Sequence, residues 1–400
     1  MDRQCQYFVC QWEQIRTRKW MRIVLLILRS GDAGKTLSTE ATTLITATTT
    51  TTITTTTTSG SCLIESVLIS FKPLRGSSIF VLLADINEDT KLDIIVGNYG
   101  EKTIIIFLNL DNGAFTQSKI VSHEIVPSCI TTGDMNNDGK LDLIATDSDA
   151  AGITVFYNAG NGNFNNSMII PTEDMLYDVK AVDMNKDNKL DLIIAPPYKN
   201  YIIFFLNEGN GLFSKQIKHE TTFHTRRLEV IDVNNDALPD IIATHDETQM
   251  TVFLNTDNGN FIEQIPTSLA LPPGFIKAID INGDNKIDLI VVFGSRLHIY
   301  FGFGNSTFAD PIEYGNNYAI SSFETADFNN DNKIDIILSH VVHSKISILF
   351  NTGNGTFIEK KIIDNIDQSN YAAMLDINSD GNPELVVAND QNITILTLAC

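Results

Sequence analysis

Three features of the sequence predict an all-β fold, a seven-bladed β-propeller of four-stranded antiparallel blades. First, the string Asp-x-Asn-x-Asp-x-x-x-Asp begins at Asp85, Asp134, Asp183, Asp232, Asp280 and Asp327, and a seventh copy from Asp376 ends in Glu384. Successive copies start 49, 49, 49, 48, 47 and 49 residues apart. Second, β-prone runs flank every copy. Third, the two ends of the repeat region complement each other. A fixed period of this length marks a repeat architecture, and four short strands per period mark a propeller blade.

Within each period the elements follow one order. A β-prone run precedes the acidic string, as in Ile79 to Ala84 and Leu228 to Ile231. A nearly continuous apolar run follows it: Leu92 to Val96, Leu141 to Ala145, Leu190 to Ala195, Ile287 to Phe293. Runs of that length, rich in Ile and Val, read as buried strands. A third strand comes next, for example Thr103 to Leu108, Ile153 to Tyr157, Tyr201 to Leu206 and Lys345 to Phe350. An Asn-Gly turn then leads to a Phe, as in Asn161-Gly162-Asn163-Phe164 and Asn354-Gly355-Thr356-Phe357. Asn-Gly supplies the positive φ angles of a hairpin. The Phe opens an outer fourth strand and is expected to pack between neighbouring blades.

After Asp376 only three strands fit before Cys400, whereas Leu63 to Phe71 is an orphan strand ahead of the first repeat. The expectation is a ring over residues 62–400 closed by strand 63–71 joining the last blade. Antiparallel pairing there would bring Cys62 and Cys400 within reach of a disulfide. Cys129 falls in an inner strand and reads as a buried thiol.

The residues ahead of the ring differ in kind. In segment 1–35, Arg16, Arg18, Lys19 and Arg22 precede a short apolar run, Ile23 to Leu28. That run is too short to span a bilayer and falls short of a good signal h-region, yet the basic flank leaves a signal peptide and a signal anchor both open. Membrane attachment, if any, would run through this segment. The stretch 36–61 is dominated by Thr and reads as a disordered stalk or linker. Gly31-Asp32-Ala33-Gly34-Lys35-Thr36 imitates a phosphate-binding loop, but Arg29 stands where its first Gly is required. The net charge of −21 argues against a nucleic-acid partner.

The acidic strings carry the chemistry. Oxygen ligands at positions 1, 3, 5 and 9, with a backbone carbonyl at 7, suit Ca²⁺, up to one ion per blade. The first two sets are Asp85, Asn87, Asp89, Lys91 and Asp93, and Asp134, Asn136, Asp138, Lys140 and Asp142. The third and fourth are Asp183, Asn185, Asp187, Lys189 and Asp191, and Asp232, Asn234, Asp236, Leu238 and Asp240. The fifth and sixth are Asp280, Asn282, Asp284, Lys286 and Asp288, and Asp327, Asn329, Asp331, Lys333 and Asp335. The seventh is Asp376, Asn378, Asp380, Asn382 and Glu384. Position 6 must turn sharply, which suits Gly139, Asn188, Asn285, Asn332 and Gly381. Thr90 and Ala237 suit it less, so their turns are expected to be strained or differently shaped. An EF-hand would carry Glu at position 12 between helices; here that position is apolar and the flanks are strands. Seven ions would bring the formal charge from −21 to −7. Weak calcium sites stay empty in the cytosol, so the loops favour an extracellular, secreted or surface-tethered setting.

At these residues the sequence resembles the FG-GAP and VCBS repeat family, the propeller type of integrin α-subunit heads. Asp85-Ile-Asn87-Glu-Asp89-Thr-Lys-Leu-Asp93 and Asp134-Met-Asn136-Asn-Asp138-Gly-Lys-Leu-Asp142 match its calcium loop position by position. The Phe-Gly and Gly-Ala-Pro elements that name the family are mostly missing. The resemblance implies calcium-stabilised adhesion or ligand recognition, with an extracellular protein or glycan as partner.

The face opposite the loops is expected to hold that partner, through long, varied connections. Its aromatic and cationic candidates are Tyr177, Tyr198, Tyr201, Phe223, Arg226, Arg227, Tyr314 and Tyr318. The alternative is a secreted calcium-dependent enzyme cleaving polysaccharides or phosphoesters. His219, His224, His245, His340 and His343 are scattered among those connections without a nucleophile–base motif, so no catalytic residue is assigned. Sequons at Asn165, Asn305, Asn354 and Asn392 suit a secreted glycoprotein.

Overall fold

The computed structural model describes residues 50–53, 63–67 and 78–399, less 111–114, 123–124, 175, 177, 214, 257–259, 316–317, 365–370, 377–382 and 389–392. Cys62 and Cys400, and with them the expected disulfide, lie outside the described residues. So does the expected closing strand beyond Val67.

The repeat folds as the period predicts. The second blade is typical: Pro127–Gly133, Asp142–Asp147, Gly152–Asn158 and Phe164–Pro171 pair antiparallel in chain order. The other blades repeat this order, giving seven sheets in all. The seventh contains Tyr371–Leu375, Glu384–Ala388 and Ile393–Ala399. Leu63–Val67 pairs with Ile393–Ala399 in that sheet, and Thr50–Ile53 lies outside it. Those four residues belong to the stretch expected to be a disordered linker. Thr is β-branched and suits a pleated edge, so low complexity did not preclude a strand there.

Second strands are sandwiched between neighbouring blades, which explains why they read as continuous apolar runs. Every residue of Asp93–Asn98, Asp142–Asp147 and Asp335–His340 is buried. The core is accordingly a chain of apolar clusters between successive blades rather than one central mass. Blades three and four share Ile193, Phe204 and Ile241; four and five share Ile242, Val252 and Leu289. Val81, Ile94 and Val96 of the first blade pack on Val386, Ala388 and Ile395 of the seventh, so the ring of packing is complete. The Phe that opens each fourth strand works as expected. Phe115, Phe164 and Phe357 are buried in these inter-blade clusters, and Phe261 stacks on Phe204 at 5.0 Å.

First strands of successive blades touch around the ring. Three residues before each loop they carry alternating charge in four blades: Lys180, Glu229, Lys277 and Glu324. Lys180 pairs with Glu229 at 3.3 Å and Lys277 with Glu324 at 2.8 Å. Tyr371 of the seventh blade donates its hydroxyl to Glu324 at 2.7 Å.

Candidate functional site

Each acidic string forms the hairpin between the first and second strands of a blade. In the second loop, Asp134 accepts from Asp138 N at 3.0 Å and from Gly139 N at 2.8 Å. Asn136 Oδ1 accepts from the same Asp138 amide at 2.9 Å, and Asp138 Oδ1 from Lys140 N at 3.0 Å. Two oxygens sharing one N–H must lie side by side, so this order of residues brings the position-1 and position-3 oxygens together. The pattern recurs at Asp85, Asp183, Asp232, Asp280 and Asp327. In the seventh loop, Asn378, Asp380 and Asn382 lie outside the described residues.

The turn needs two left-handed residues. Position 6 is one: Gly139 has φ 87°, and Thr90 and Ala237 adopt the same shape at 71° and 65°. Those two turns are therefore strained rather than differently shaped. Position 4 is the other, at Glu88, Asn137, Lys186, Asn235 and Asn330. Left-handed backbone costs an L-residue about 1–2 kcal/mol. Thr90→Gly and Ala237→Gly should each stabilise the protein by about 0.5–1 kcal/mol, read from the urea midpoint.

Position 9 is the buried anchor. Asp142 accepts from Met135 N through Oδ2 at 3.0 Å and from Asn158 N through Oδ1 at 2.8 Å. The same two bonds recur at Asp93, Asp191, Asp240, Asp288 and Asp335. Burial pushes the carboxyls of Asp93, Asp142, Asp191 and Asp288 up to about 6, against the downward pull of these amides. Asp240 and Asp335 are raised for the same reason.

A residue absent from the sequence reading links the loops. Asn158, at the end of its blade's third strand, donates Nδ2 to Leu141 O of its own loop at 3.0 Å. It also donates to Ile86 O in the preceding blade's loop at 2.8 Å. Asn207, Asn255 and Asn351 repeat this double bond. One buried amide thus ties consecutive loops together. The fifth blade has Gly302 instead, where an added Cβ would stand 2.1 Å from Ile287 O. Asn207→Ala should cost about 2–3 kcal/mol, because Met135 O and Leu190 O lose a donor in a buried setting. Chemical denaturation of the variant checks this.

The lysines at position 7 turn back on their own loops. Lys140, Lys189, Lys286 and Lys333 place Nζ 2.9, 3.0, 3.1 and 2.9 Å from the position-5 carboxylate. The Lys333 ammonium holds the Asp331 carboxyl below its ordinary range.

Among the described residues, no three Asp, Glu, His or Cys side chains stand gathered as a finished metal cage. Their oxygens are turned toward loop amides and lysine ammoniums instead. The donor set still fits a hard cation in kind, since each carboxylate retains lone pairs beyond those given to amides. Positions 1, 3, 5 and 9, with the position-7 carbonyl, are the groups that would hold it.

On the opposite face the candidates divide. Tyr198 is 68% exposed, with φ 60° in the turn between second and third strands. Tyr318 meets His343 at 4.8 Å with the rings tilted, beneath the ammonium of Lys345. Tyr201 gives its hydroxyl to Asp174 at 2.8 Å. Two candidates are corrected. Arg227 is only 1% exposed, so it belongs to the interior. Tyr314 packs edge-on against Phe357 and accepts from its amide at 3.2 Å, which makes it an inter-blade strut. Tyr177 lies outside the described residues.

His245 and His340 are also interior. His245 Nε2 meets Thr251 Oγ1 at 2.8 Å; His340 meets Ser347 Oγ at 2.9 Å and Ala319 O at 3.1 Å. Burial pushes both imidazoles down to about 4. Below about pH 6.5 the unfolded chain binds protons that the fold refuses, so stability falls as pH drops from 6.5 to 4. Each histidine contributes a loss on the order of 3 kcal/mol across that window. His340→Gln should flatten this part of the melting-temperature profile relative to wild type. Equal slopes in the two proteins would contradict it.

Comparisons with known proteins accord with this geometry. BBS1N, solved in complex with ARL6DN, superimposes with a TM-score of 0.60 at 12% identity, over 84% of this chain and 98% of that one. A lectin of Agrocybe aegerita, solved with regard to recognition of non-reducing terminal N-acetylglucosamine, gives a TM-score of 0.56 at 18% identity. That match covers 78% of this chain and 85% of the lectin. At such identities the likeness shows the fold alone. No curated protein matches the sequence. The fold is consistent with a protein- or ligand-binding module. The FG-GAP-like repeat matches residues 85–145, 134–194, 183–243 and 280–338, each match running from one acidic loop through the next. With more than half of its length matched and the propeller formed, this chain belongs to the FG-GAP-like repeat family.

Proposed function

We propose that the protein is a calcium-loaded propeller that works outside the cytosol and recognises a protein or glycan ligand on the face opposite its acidic loops. The observation that carries this reading is the division of labour between the two ends of each blade. One end repeats the same oxygen-rich turn from blade to blade, with a shared buried anchor at position 9. The other end varies: Pro196-Pro197-Tyr198-Lys199 in one blade, Gly294-Ser295 in another, and a short 3-10 turn, Val341–His343, in a third. Uniform turns support a common structural ion, and varied turns on a rigid ring support recognition. Propellers of this shape serve both ligand classes, since BBS1N was solved with a protein and the Agrocybe aegerita lectin with regard to a sugar.

Binding to glycan and extracellular-protein arrays, with calcium and with EDTA, tests the reading. Calcium-dependent capture of one ligand class, lost on Tyr198→Ala or Tyr318→Ala, is the expected result. Turnover of a polysaccharide or phosphoester would favour the enzymatic alternative. Fastening of the ring by strand 63–71 belongs to the same proposal: a chain beginning at residue 72 should melt well below the full chain.

A further inference from the structure

The position-7 lysines occur in five of the seven strings, and in four of them the ammonium sits in a prepared place. The hairpin between the third and fourth strands brings a left-handed glycine over the lysine stem. A Cβ on Gly160 would lie 3.6 Å from Lys140 Cε, and one on Gly353 would lie 2.8 Å from Lys333 Cε. Gly209 and Gly304 cover Lys189 and Lys286 in the same way, with φ of 108° and 76°. Where this glycine is replaced, the close pair is lost. The first blade has Asp111 at the equivalent position, and Lys91 Nζ stands 3.9 Å from Asp89. The fourth blade has Asp257 there and no lysine at all, Leu238 taking its place. Each blade that has the hairpin glycine therefore has the loop lysine close to its carboxylate, and the blade that keeps the lysine without the glycine has the longer pair.

We infer that in blades two, three, five and six the lysine is a tethered counter-ion, which holds the loop together when no metal is bound and competes with the metal for the position-5 carboxylate. This rests on the calcium reading above. An ammonium beside the carboxylate relieves the repulsion among the loop acids, and it opposes a divalent cation arriving at the same oxygens. The ring is thereby split into blades that tolerate loss of the metal and at least one, the fourth, whose loop has no lysine to take its place.

The test uses the full chain with Lys140, Lys189, Lys286 and Lys333 all changed to Met, with Lys102→Met as a control. Lys102 pairs with Asp149 at 2.6 Å, away from the loops, and reports the loss of one exposed lysine–carboxylate pair outside them. In EDTA the fourfold variant should melt several degrees below wild type, whereas the control should not. In a Ca²⁺ titration its melting temperature should rise at about three- to fivefold lower calcium than wild type, equivalent to weak, partly exposed ion pairs. If the fourfold variant does not fold, Lys189→Met and Lys333→Met singly should show the same two shifts at smaller size. Calorimetric heat with Ca²⁺ in every protein, but with unchanged midpoints and unchanged melting in EDTA, overturns the counter-ion and leaves calcium binding standing. Absence of heat in wild type and variants alike removes the calcium reading and this inference together.

Discussion

Metal-stripped protein should melt about 10 °C or more lower than the same protein in millimolar calcium. Each loop packs three acidic groups into one turn, and one of them is buried where charge is costly. If each site binds with a Kd near 0.1 mM, roughly 1 mM Ca²⁺ contributes about 1.4 kcal/mol per site. Summed over seven independent sites, that is on the order of 10 kcal/mol, comparable with the stability of a whole domain. Spread over the unfolding entropy of a ring of this size, it is a shift of about 10–15 °C. Differential scanning calorimetry at several calcium concentrations checks it. Coincident thermograms with calcium and with EDTA would remove the structural ion from the account.

Changing the buried anchor should cost more than changing any other loop residue. Asp191→Ala is expected to destabilise by about 4 kcal/mol even in EDTA. It leaves Met184 N and Asn207 N without their acceptor in a sealed interior and opens a void beside them. Asp187→Ala, at the exposed position 5, removes only the Lys189 pair and one amide contact. In EDTA it should cost less than about 1 kcal/mol, as exposed ion pairs do. Its full effect should appear only in calcium, as a lost increment of stabilisation. Urea denaturation of both variants under both conditions separates anchor from ligand. Similar losses for the two in EDTA would place them in the same role, contrary to their burial.

Much of this was written in the sequence because position and chemistry coincide there. Asp at 1, 5 and 9 and Asn at 3 recur at fixed intervals, and the apolar run after each string can only be a strand buried on both faces. Position 4 was legible only in part. Asn137, Asn235, Gly283 and Asn330 are types that accept a left-handed backbone, but Glu88 and Lys186 share the angle without that signal. The linking asparagines were visible in principle. Asn158, Asn207, Asn255 and Asn351 recur 16, 16, 15 and 16 residues after position 9, but they sit where a turn would also favour Asn. Arg227 and Tyr314 were misplaced because both lie on strands, Thr225–Ile231 and Ile312–Gly315, in stretches that read as connections.

The alternating charges on the inner strands bear on how such a chain avoids assembling in the wrong order. Modules this alike can dock on the wrong neighbour while they are being made, a hazard of tandem arrays. Lys180, Glu229, Lys277 and Glu324 give four consecutive modules opposite signs at the same height on the axis. Skipping one of them would set lysine against lysine or glutamate against glutamate at a partly dehydrated seam. The pattern thus acts as a parity check on succession, written where every module must meet the next.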